Sequence, residues 1–558
     1  MTHPLFDKHQ TLLNKALETL KTREYWSPYP EVPSGKIYGE NAKAQGLAAF
    51  NARLNQTFEL NQPGTIGEIG NEQSPWGIDL NIKYPKVDID TLIPQMQNEL
   101  ASWRDAGIKA RTGICLEIID RLNKASFEIG NAAHMTTGQS FVMGFQSGGP
   151  HAQDRALEAL AYAYQAMEQT ASNSSWVKPQ GRHEPLAIEK TYTIVPKGIS
   201  LIIACATFPT WNSYPGLFAS LVCGNPVIVK PHPNGILPLA ISVEVIQQVL
   251  KENGFAPHLV SMVADEAENP ITKTLVMREE IKLIDFTGSG DFGRWVEDNA
   301  QRVKESAQVY SEKSAINSLM IDSTDDIDGL VNNLAFSLSL YSGQMCTTPQ
   351  NIYLPKTGIE TNKGFYSFER FAKTLTDAIE KLLSDSKRAI DVLGAIQSPT
   401  TLERINNAAN LGDVLLESKT HQHPEYENAR MASPIVIQVS GDNKPSYMQE
   451  MFGPIIFLVA TENTEQSIAL ATESAKVQGA ITWGGYSTSE QVLTNIHNAS
   501  LDAGVALSCN LTGGLFVNQA AAFSDFHASG LNPSANASLT DGNFVAGRFA
   551  VVQNRRHK

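Results

Sequence analysis

Residues 281–293 read Ile281-Lys282-Leu283-Ile284-Asp285-Phe286-Thr287-Gly288-Ser289-Gly290-Asp291-Phe292-Gly293, an apolar run delivered straight into a G-x-G-x-x-G loop. The run at 281–287 has the length and composition of a buried strand, and helical spacing takes over at 292–299. Glycines in such a place let the backbone approach a pyrophosphate, while the helix start offers unpaired amides and the favourable end of its dipole. Gly288, Ser289 and Gly293 are therefore candidate cofactor-binding residues. Upstream the same alternation repeats. Strands are predicted at 199–204, 226–230 and 259–263, with helices at 217–222, 238–251 and 271–277. Continuous apolar strands separated by helices call for a parallel sheet covered on both faces.

Downstream a second alternation begins near Ser318. Strands are expected at 319–321, 351–354, 412–416, 433–439, 455–460, 479–486 and 504–508, with helices at 327–340, 365–383 and 466–474. The first of these helices leads into Tyr341-Ser342-Gly343-Gln344-Met345-Cys346-Thr347-Thr348. A cysteine after a flexible Gly-Gln pair reads as a thiol presented at a turn, although a lone cysteine more often packs as a small hydrophobe. Before the first sheet, residues 1 to about 110 read as helix and loop, and 92–135 and 153–171 as packing helices. Runs at 176–178 and 188–195 fit a hairpin, either a ribbon that adds strands to a neighbouring subunit or an ordinary edge hairpin.

With 558 residues, the chain exceeds what one hydrophobic core usually serves, so two or three domains are expected. Hydrophobic residues make up 42% and charged ones 18%, as in a soluble globular protein. The net charge is −14 and the main basic cluster is Arg555-Arg556-His557-Lys558, so nucleic acid and anionic membrane are poor partners. The amino terminus lacks the apolar core of a secretion signal, and no stretch has the length to span a bilayer. Five cysteines without a C-x-x-C pair argue for a reducing cytoplasm, against a disulfide framework and against a cysteine zinc site. Cys115, Cys205, Cys223 and Cys509 are expected in the core. His421 and His423 fit an exposed loop better than a metal pair, and no metal site is expected.

Four signals then fall in order: Phe286-Thr287-Gly288-Ser289, Glu312, Gly343-Gln344-Met345-Cys346-Thr347, and Glu450-Met451-Phe452-Gly453-Pro454. This series resembles the aldehyde dehydrogenase superfamily, with its F-T-G-S, E-L-G-G-K, G-Q-x-C-T and E-x-F-G-P segments. The resemblance implies an α/β fold. A Rossmann-type dinucleotide-binding domain is expected at 196–315 and a catalytic α/β domain at 316–530. The amino-terminal helical extension and the start of the nucleotide-binding domain fall at 1–174, and a small β oligomerisation arm at 175–195 together with 531–558. It also implies a cysteine nucleophile at Cys346 and a general base at Glu312, with a thiohemiacetal and then a thioester on the sulfur. From spacing alone, Glu312 fits a ribose-binding acid about twenty residues past the glycine loop equally well. Glu450 and Phe452 match the family's contacts to the nicotinamide ribose and ring.

Three departures from the family pattern matter. Lys313-Ser314-Ala315-Ile316 replaces Leu-Gly-Gly-Lys after the glutamate, which alters the turn that lets the carboxylate swing. Thr207 precedes Phe208-Pro209 where the family has the asparagine that binds the oxyanion; an ungapped register favours Thr207, which can donate one hydroxyl hydrogen bond, while Asn212, the nearest asparagine, either serves the oxyanion instead or lines the aldehyde tunnel beside Trp211, with Phe208 also on the substrate side. Finally K-P-x-E appears as Lys230-Pro231-His232-Pro233. Without that glutamate, Lys230 and His232 are expected to accept a 2′-phosphate, so NADP is preferred over NAD. The amino-terminal extension and Ala206-Thr207-Phe208-Pro209-Thr210-Trp211-Asn212 look like the phenylacetate-degradation branch, whose enzymes oxidise a CoA-bound semialdehyde. The expectation is a cytoplasmic homodimer or homotetramer that oxidises such an aldehyde to its carboxylate. The alternatives are a CoA-acylating dehydrogenase and a catalytically silent nucleotide-binding scaffold.

Overall fold

The computed structural model describes residues 3–303, 306–539 and 541–557. Thr540 and Lys558, both within the expected arm, lie outside the described residues, as do Met1 and Thr2 at the amino terminus.

Five parallel strands form the first sheet, in the order Val260–Met262, Val227–Lys230, Ile199–Ile203, Ile281–Thr287, Gln308–Glu312. Ile199–Ile203 and Val227–Lys230 are buried at every position. That is why they read as unbroken apolar runs rather than alternating ones. The fifth strand was not expected: Gln308–Glu312 lies at the sheet edge, carries polar residues, and gives no apolar run to detect. Its pairing puts Thr287 opposite Glu312, so the glycine loop and that carboxylate leave the sheet at the same end.

Helix Pro209–Val222 also begins earlier than its apolar residues announced. Pro209 occupies the first helical turn, where its fixed φ favours the helix and its missing N–H costs nothing. The consequence is that Trp211 and Asn212 stand on the first turn of a helix, not in a loop.

The second sheet has seven strands, in the order Asp413–Leu416, Ile435–Ser440, Ile455–Thr461, Pro349–Pro355, Asn317–Ile321, Thr482–Tyr486, Ala506–Cys509. Only the Asp413–Leu416 edge is antiparallel. A separate three-stranded sheet joins the hairpin Asn173–Gln180/His183–Pro196 to Phe549–His557. The buried ion pair of Arg548 with Asp285, at 2.6 and 2.8 Å, fastens the start of that last strand to the first sheet.

The amino-terminal part contains more than helix and loop. Thr65–Ile69 pairs antiparallel with Tyr84–Val87, a short and half-polar pair whose burial alternates too little to read in advance. Helix Pro4–Thr22 packs Phe6, Leu13 and Leu20 inward. Beyond it, Trp26 packs edge-on against Phe523 at 5.1 Å, and the Arg23 guanidinium lies 4.0 Å from the Phe526 ring. The extension thus braces the loop around 523–527. No helix among the described residues is long and apolar enough to cross a membrane.

Candidate active site

Cys346 sits where a helix breaks. Ile327–Ser339 ends, and Tyr341, Ser342 and Gly343 follow with φ of 51°, 47° and 64°. Three successive left-handed residues, two of them not glycine, persist only when their surroundings hold them. Here the surroundings do so. The Tyr341 hydroxyl donates to the Thr137 carbonyl, and Ser342 Oγ lies 3.0 and 2.9 Å from the carbonyls of Leu393 and Ala432. Gln344 Nε2 donates to Ala395 O at 3.0 Å, and Gln344 Oε1 accepts from Gln397 N at 2.8 Å. The expected flexible Gly-Gln pair is therefore a buried clamp. On the far side Asn317 Nδ2 holds the Cys346 carbonyl at 2.8 Å.

Glu312 reaches this thiol from the end of its strand. The segment after it is tied down at each residue: Lys313 pairs with Glu297 at 2.8 Å, Ser314 Oγ accepts from Gly290 N at 2.9 Å, and Ala315 N donates to Glu450 at 2.9 Å. The lost Leu-Gly-Gly-Lys turn is thus replaced by a fixed one. Asn212 Nδ2 donates to Glu312 Oε2 at 3.2 Å, and its Oδ1 lies 3.5 Å from the Cys205 thiol.

The residue that sequence reasoning missed is His527. Its Nε2 lies 3.1 Å from Glu312 Oε1 and 3.6 Å from Cys346 Sγ. The loop carrying it is anchored by Arg155, which donates to Asp525 O at 3.1 Å, and its ring stands edge-on to Trp211 at 4.8 Å. No local signal marks it; a histidine 181 residues from the cysteine is joined to it by folding alone.

These contacts set the charges. Burial and the neighbouring Glu312 carboxylate push the Cys346 thiol well above its ordinary range, so the resting group is a thiol. Burial works to raise Glu312 too, but His527 outweighs it, with hydrogen bonds from Cys346 and Asn212, and holds the carboxyl below its usual value. The arrangement is an ionised base touching a protonated nucleophile.

The other expected residues distribute unevenly. Thr207 has its hydroxyl 3.9 Å from Cys205 Sγ and its carbonyl bonded by Gln139, and no contact brings it to Glu312. Phe208 packs edge-on against Tyr341 at 5.7 Å, which makes it part of the support for the cysteine loop. Glu450, raised by burial, fastens Ala315, and the Phe452 carbonyl accepts from Arg404 at 2.5 Å. Gly288 and Gly293 allow close packing as much as ligand approach: a Cβ on Gly293 would stand 2.5 Å from Lys313 Cγ, and one on Gly288 2.9 Å from the Phe286 ring. Ser289 caps the helix Gly290–Ala300 and is exposed.

Lys230 and His232 do not offer free positive charge. Lys230 Nζ lies 2.6 Å from Asp265 Oδ1, both side chains almost fully buried, at the ends of adjoining strands. Burial, with the Lys230 charge beside it, pulls His232 down to about 4, so its ring is neutral near pH 7. Asp265 thus places a carboxylate beside Lys230, where Pro233 offers none, and this removes the basis for expecting Lys230 and His232 to accept a 2′-phosphate. Among the other cysteines, Cys115 and Cys223 are buried as expected, but Cys205 is half-buried and Cys509 is exposed at the end of an edge strand.

The chain matches the Aldehyde dehydrogenase family over residues 82–531. Among solved structures it is similar to an NAD-dependent aldehyde dehydrogenase from Burkholderia multivorans, with 51% identity, a TM-score of 0.98 and all of both chains covered. A 1-pyrroline-5-carboxylate dehydrogenase from Thermus with bound NAD shares the fold at 18% identity and a TM-score of 0.74, over 96% of this chain and 99% of that one. Among curated relatives, the putative aldehyde dehydrogenase family 7 member A1 homolog of Caenorhabditis elegans is 22% identical over 54% of this chain and 57% of its own length. Aldehyde dehydrogenase family 3 member B1 of Rattus norvegicus is 23% identical over 54% of this chain and 60% of its own. The chain thus spans less than two thirds of the length of these two relatives. On the extent of the family match, and with the fold and site geometry in agreement, the chain belongs to the aldehyde dehydrogenase family.

Proposed function

We propose that this protein oxidises an aldehyde to its carboxylate through Cys346, with NAD as the hydride acceptor. The observation that carries the reading is the meeting of Cys346, Glu312, Asn212 and His527, from four distant segments, around one half-buried sulfur.

The residues present fit a dinucleotide. The strand ends of the first sheet converge on the crevice where open α/β sheets bind ligands, and there Lys230 and Asp265 offer a donor and an acceptor to a ribose diol. A carboxylate in that place disfavours a 2′-phosphate by charge repulsion, which supports NAD over NADP. The NAD dependence named for the Burkholderia multivorans protein supports it too. The loop at Gly288, Ser289 and Gly293, with Glu450 and Phe452, would hold the rest of the cofactor, which supplies the acceptor for hydride leaving the substrate carbon.

The chain's own groups do the remainder. Glu312 takes the Cys346 proton as sulfur attacks the carbonyl carbon. With a proton on Nε2, His527 donates toward Glu312 and lies beside the sulfur, so it steadies whichever carries the charge. One N–H of Asn212 is given to Glu312; the other, with the Cys346 backbone N–H, would receive the developing oxyanion. Once hydride has left, a thioester remains on Cys346; Glu312, its proton first passed to solvent, then activates the water that releases the acid. The fixed turn after Glu312 and its hold by two partners favour water over free CoA in that step.

The aldehyde proposed is an open-chain, CoA-linked semialdehyde. Its support is the resemblance of residues 206–212 to the phenylacetate-degradation branch and the half-buried ring of Trp211 beside His527. The three-stranded arm, with Val177, Leu186, Val551 and Val552 exposed, supports assembly with further copies of the chain. The test is reduction of NAD and of NADP by aldehydes with and without a CoA tether. NAD-linked turnover abolished in Cys346→Ala bears the proposal out; no reduction of either cofactor, or an unaffected variant, ends it.

A further inference from the structure

The sequence holds no paired cysteines and no carboxylate cluster, and reads as metal-free; the fold changes that by adding His527. Cys346 Sγ, His527 Nε2 and a Glu312 carboxylate oxygen all lie within 4.8 Å of one another. The sulfur-to-nitrogen separation is 3.6 Å and nitrogen-to-oxygen 3.1 Å. Donor atoms held ~2.0–2.3 Å from a tetrahedral ion stand roughly 3.3–3.7 Å apart, so two edges of the triangle are already near that size. Shifts of under about an ångström would close the third. A thiolate, an imidazole and a carboxylate together form a mixed set suited to borderline ions such as zinc, not to magnesium or calcium, which take oxygen. Thiolate and carboxylate also balance the ion's two charges, which matters where Glu312 and His527 are buried. Behind the triangle, Asn212 holds the second carboxylate oxygen of Glu312 and so fixes that ligand's orientation. Among the described residues no further His, Cys, Asp or Glu joins the group, which leaves a fourth position for water, and Cys346 is accessible enough for an ion to arrive.

We propose that Cys346, His527 and Glu312 form a binding site for a zinc-class divalent cation, whose occupancy reversibly silences the nucleophile. On binding, a sulfur-to-metal bond forms, the thiol proton leaves to solvent, and no electrons change hands. The silencing rests on the function proposed above; the binding does not.

The experiment adds Zn2+ alone, and Mg2+ alone, to the metal-free full-length protein. Stoichiometry is read by competition with a chromogenic chelator, and the site by the rate of Cys346 alkylation, followed on its peptide by mass spectrometry. The expected result is one Zn2+ per chain, alkylation slowed by ~10-fold or more and restored by EDTA, and no response to Mg2+. His527→Gln and Cys346→Ser should each weaken Zn2+ binding by ~10-fold or more, in the range that disturbed metal sites show. Co2+ in the unaltered protein should give a thiolate-to-metal charge-transfer band, a reading that holds even if a variant fails to fold. Absence of stoichiometric binding, binding undiminished in both folded variants, or a Co2+ complex without that band overturns the proposal. If the metal-free protein oxidises no aldehyde, the functional reading fails while these binding results decide the site; if it does and zinc leaves the rate unchanged, the silencing claim alone fails.

Discussion

On the proposed reading, Asp265 does the work of a residue that the chain has lost. The family's ribose glutamate would stand at Pro233, and reading that gap alone led to NADP. A carboxylate stands instead in the segment that follows the next strand, 2.6 Å from Lys230 Nζ, and no sequence spacing announces it. Asp265→Asn leaves Lys230 without a charged partner and should raise the kcat/KM ratio for NADP over NAD by about tenfold, the effect of ~1.4 kcal/mol. Steady-state kinetics with both cofactors measure this, and an unchanged ratio would remove Asp265 from cofactor selection. At this scale Cys346 and Glu312 could be singled out in advance as the proposed nucleophile and base, because both sit in recognisable local motifs. The sequence left open whether Thr207 or Asn212 serves the oxyanion, since that turns on where the Pro209–Val222 helix begins. It hid His527 altogether, because a loop histidine has no pattern of its own.

The cysteine turn is the element on which the site depends. Its left-handed run is stabilised by bonds to residues more than fifty positions away in either direction. Gly343, at φ 64°, has a Cβ position only 2.4 Å from the Gly453 carbonyl. Gly343→Ala should therefore cost ~1–3 kcal/mol of stability through strain. By shifting the sulfur it should also lower kcat ~10²-fold. Thermal melting and turnover, taken together, test this, and wild-type values of both would show that the turn is not held as described. Strands largely buried on both faces, such as Ile281–Thr287, were readable, since burial keeps most of their positions apolar even around Lys282 and Asp285. Edge elements such as Gln308–Glu312 and Thr65–Ile69 were not, because a half-solvated strand need not be apolar.

Across the molecule, Glu72 binds the amino-terminal region to the start of helix Leu237–Glu252. This buried carboxyl accepts from Tyr84 Oη at 2.5 Å and from the backbone of Ile236 and Leu237 at the start of helix Leu237–Glu252. Burial raises it to about 7. A carboxyl with a raised folded value contributes stability that is complete below the unfolded value of 4.5 and is lost as pH rises through about 7. The contribution is on the order of 3 kcal/mol. Melting temperatures at pH 5 and pH 8 should therefore differ less in Glu72→Gln than in the unaltered protein. An equal difference would place Glu72 outside this linkage. The two α/β sheets were legible in advance from the alternation of strands and helices, and the hairpin from its two β-like runs, while its pairing with Phe549–His557 had no signal beyond the family resemblance. The bracing of the 523–527 loop by Trp26 and Arg23 was not, since such contacts join segments hundreds of residues apart.

The central claim is that Cys346 carries the acyl group and Glu312 releases it. Mixing Glu312→Gln with NAD and an aldehyde, then measuring reduced NAD and the intact protein mass in the same sample, tests this directly. Because Glu312 also takes the Cys346 proton, the account predicts slow formation of one reduced NAD per active site, little turnover after it, and a mass gain of one acyl group that peptide analysis places on Cys346. Steady turnover at the unaltered rate, or an acyl group on any other residue, would contradict it.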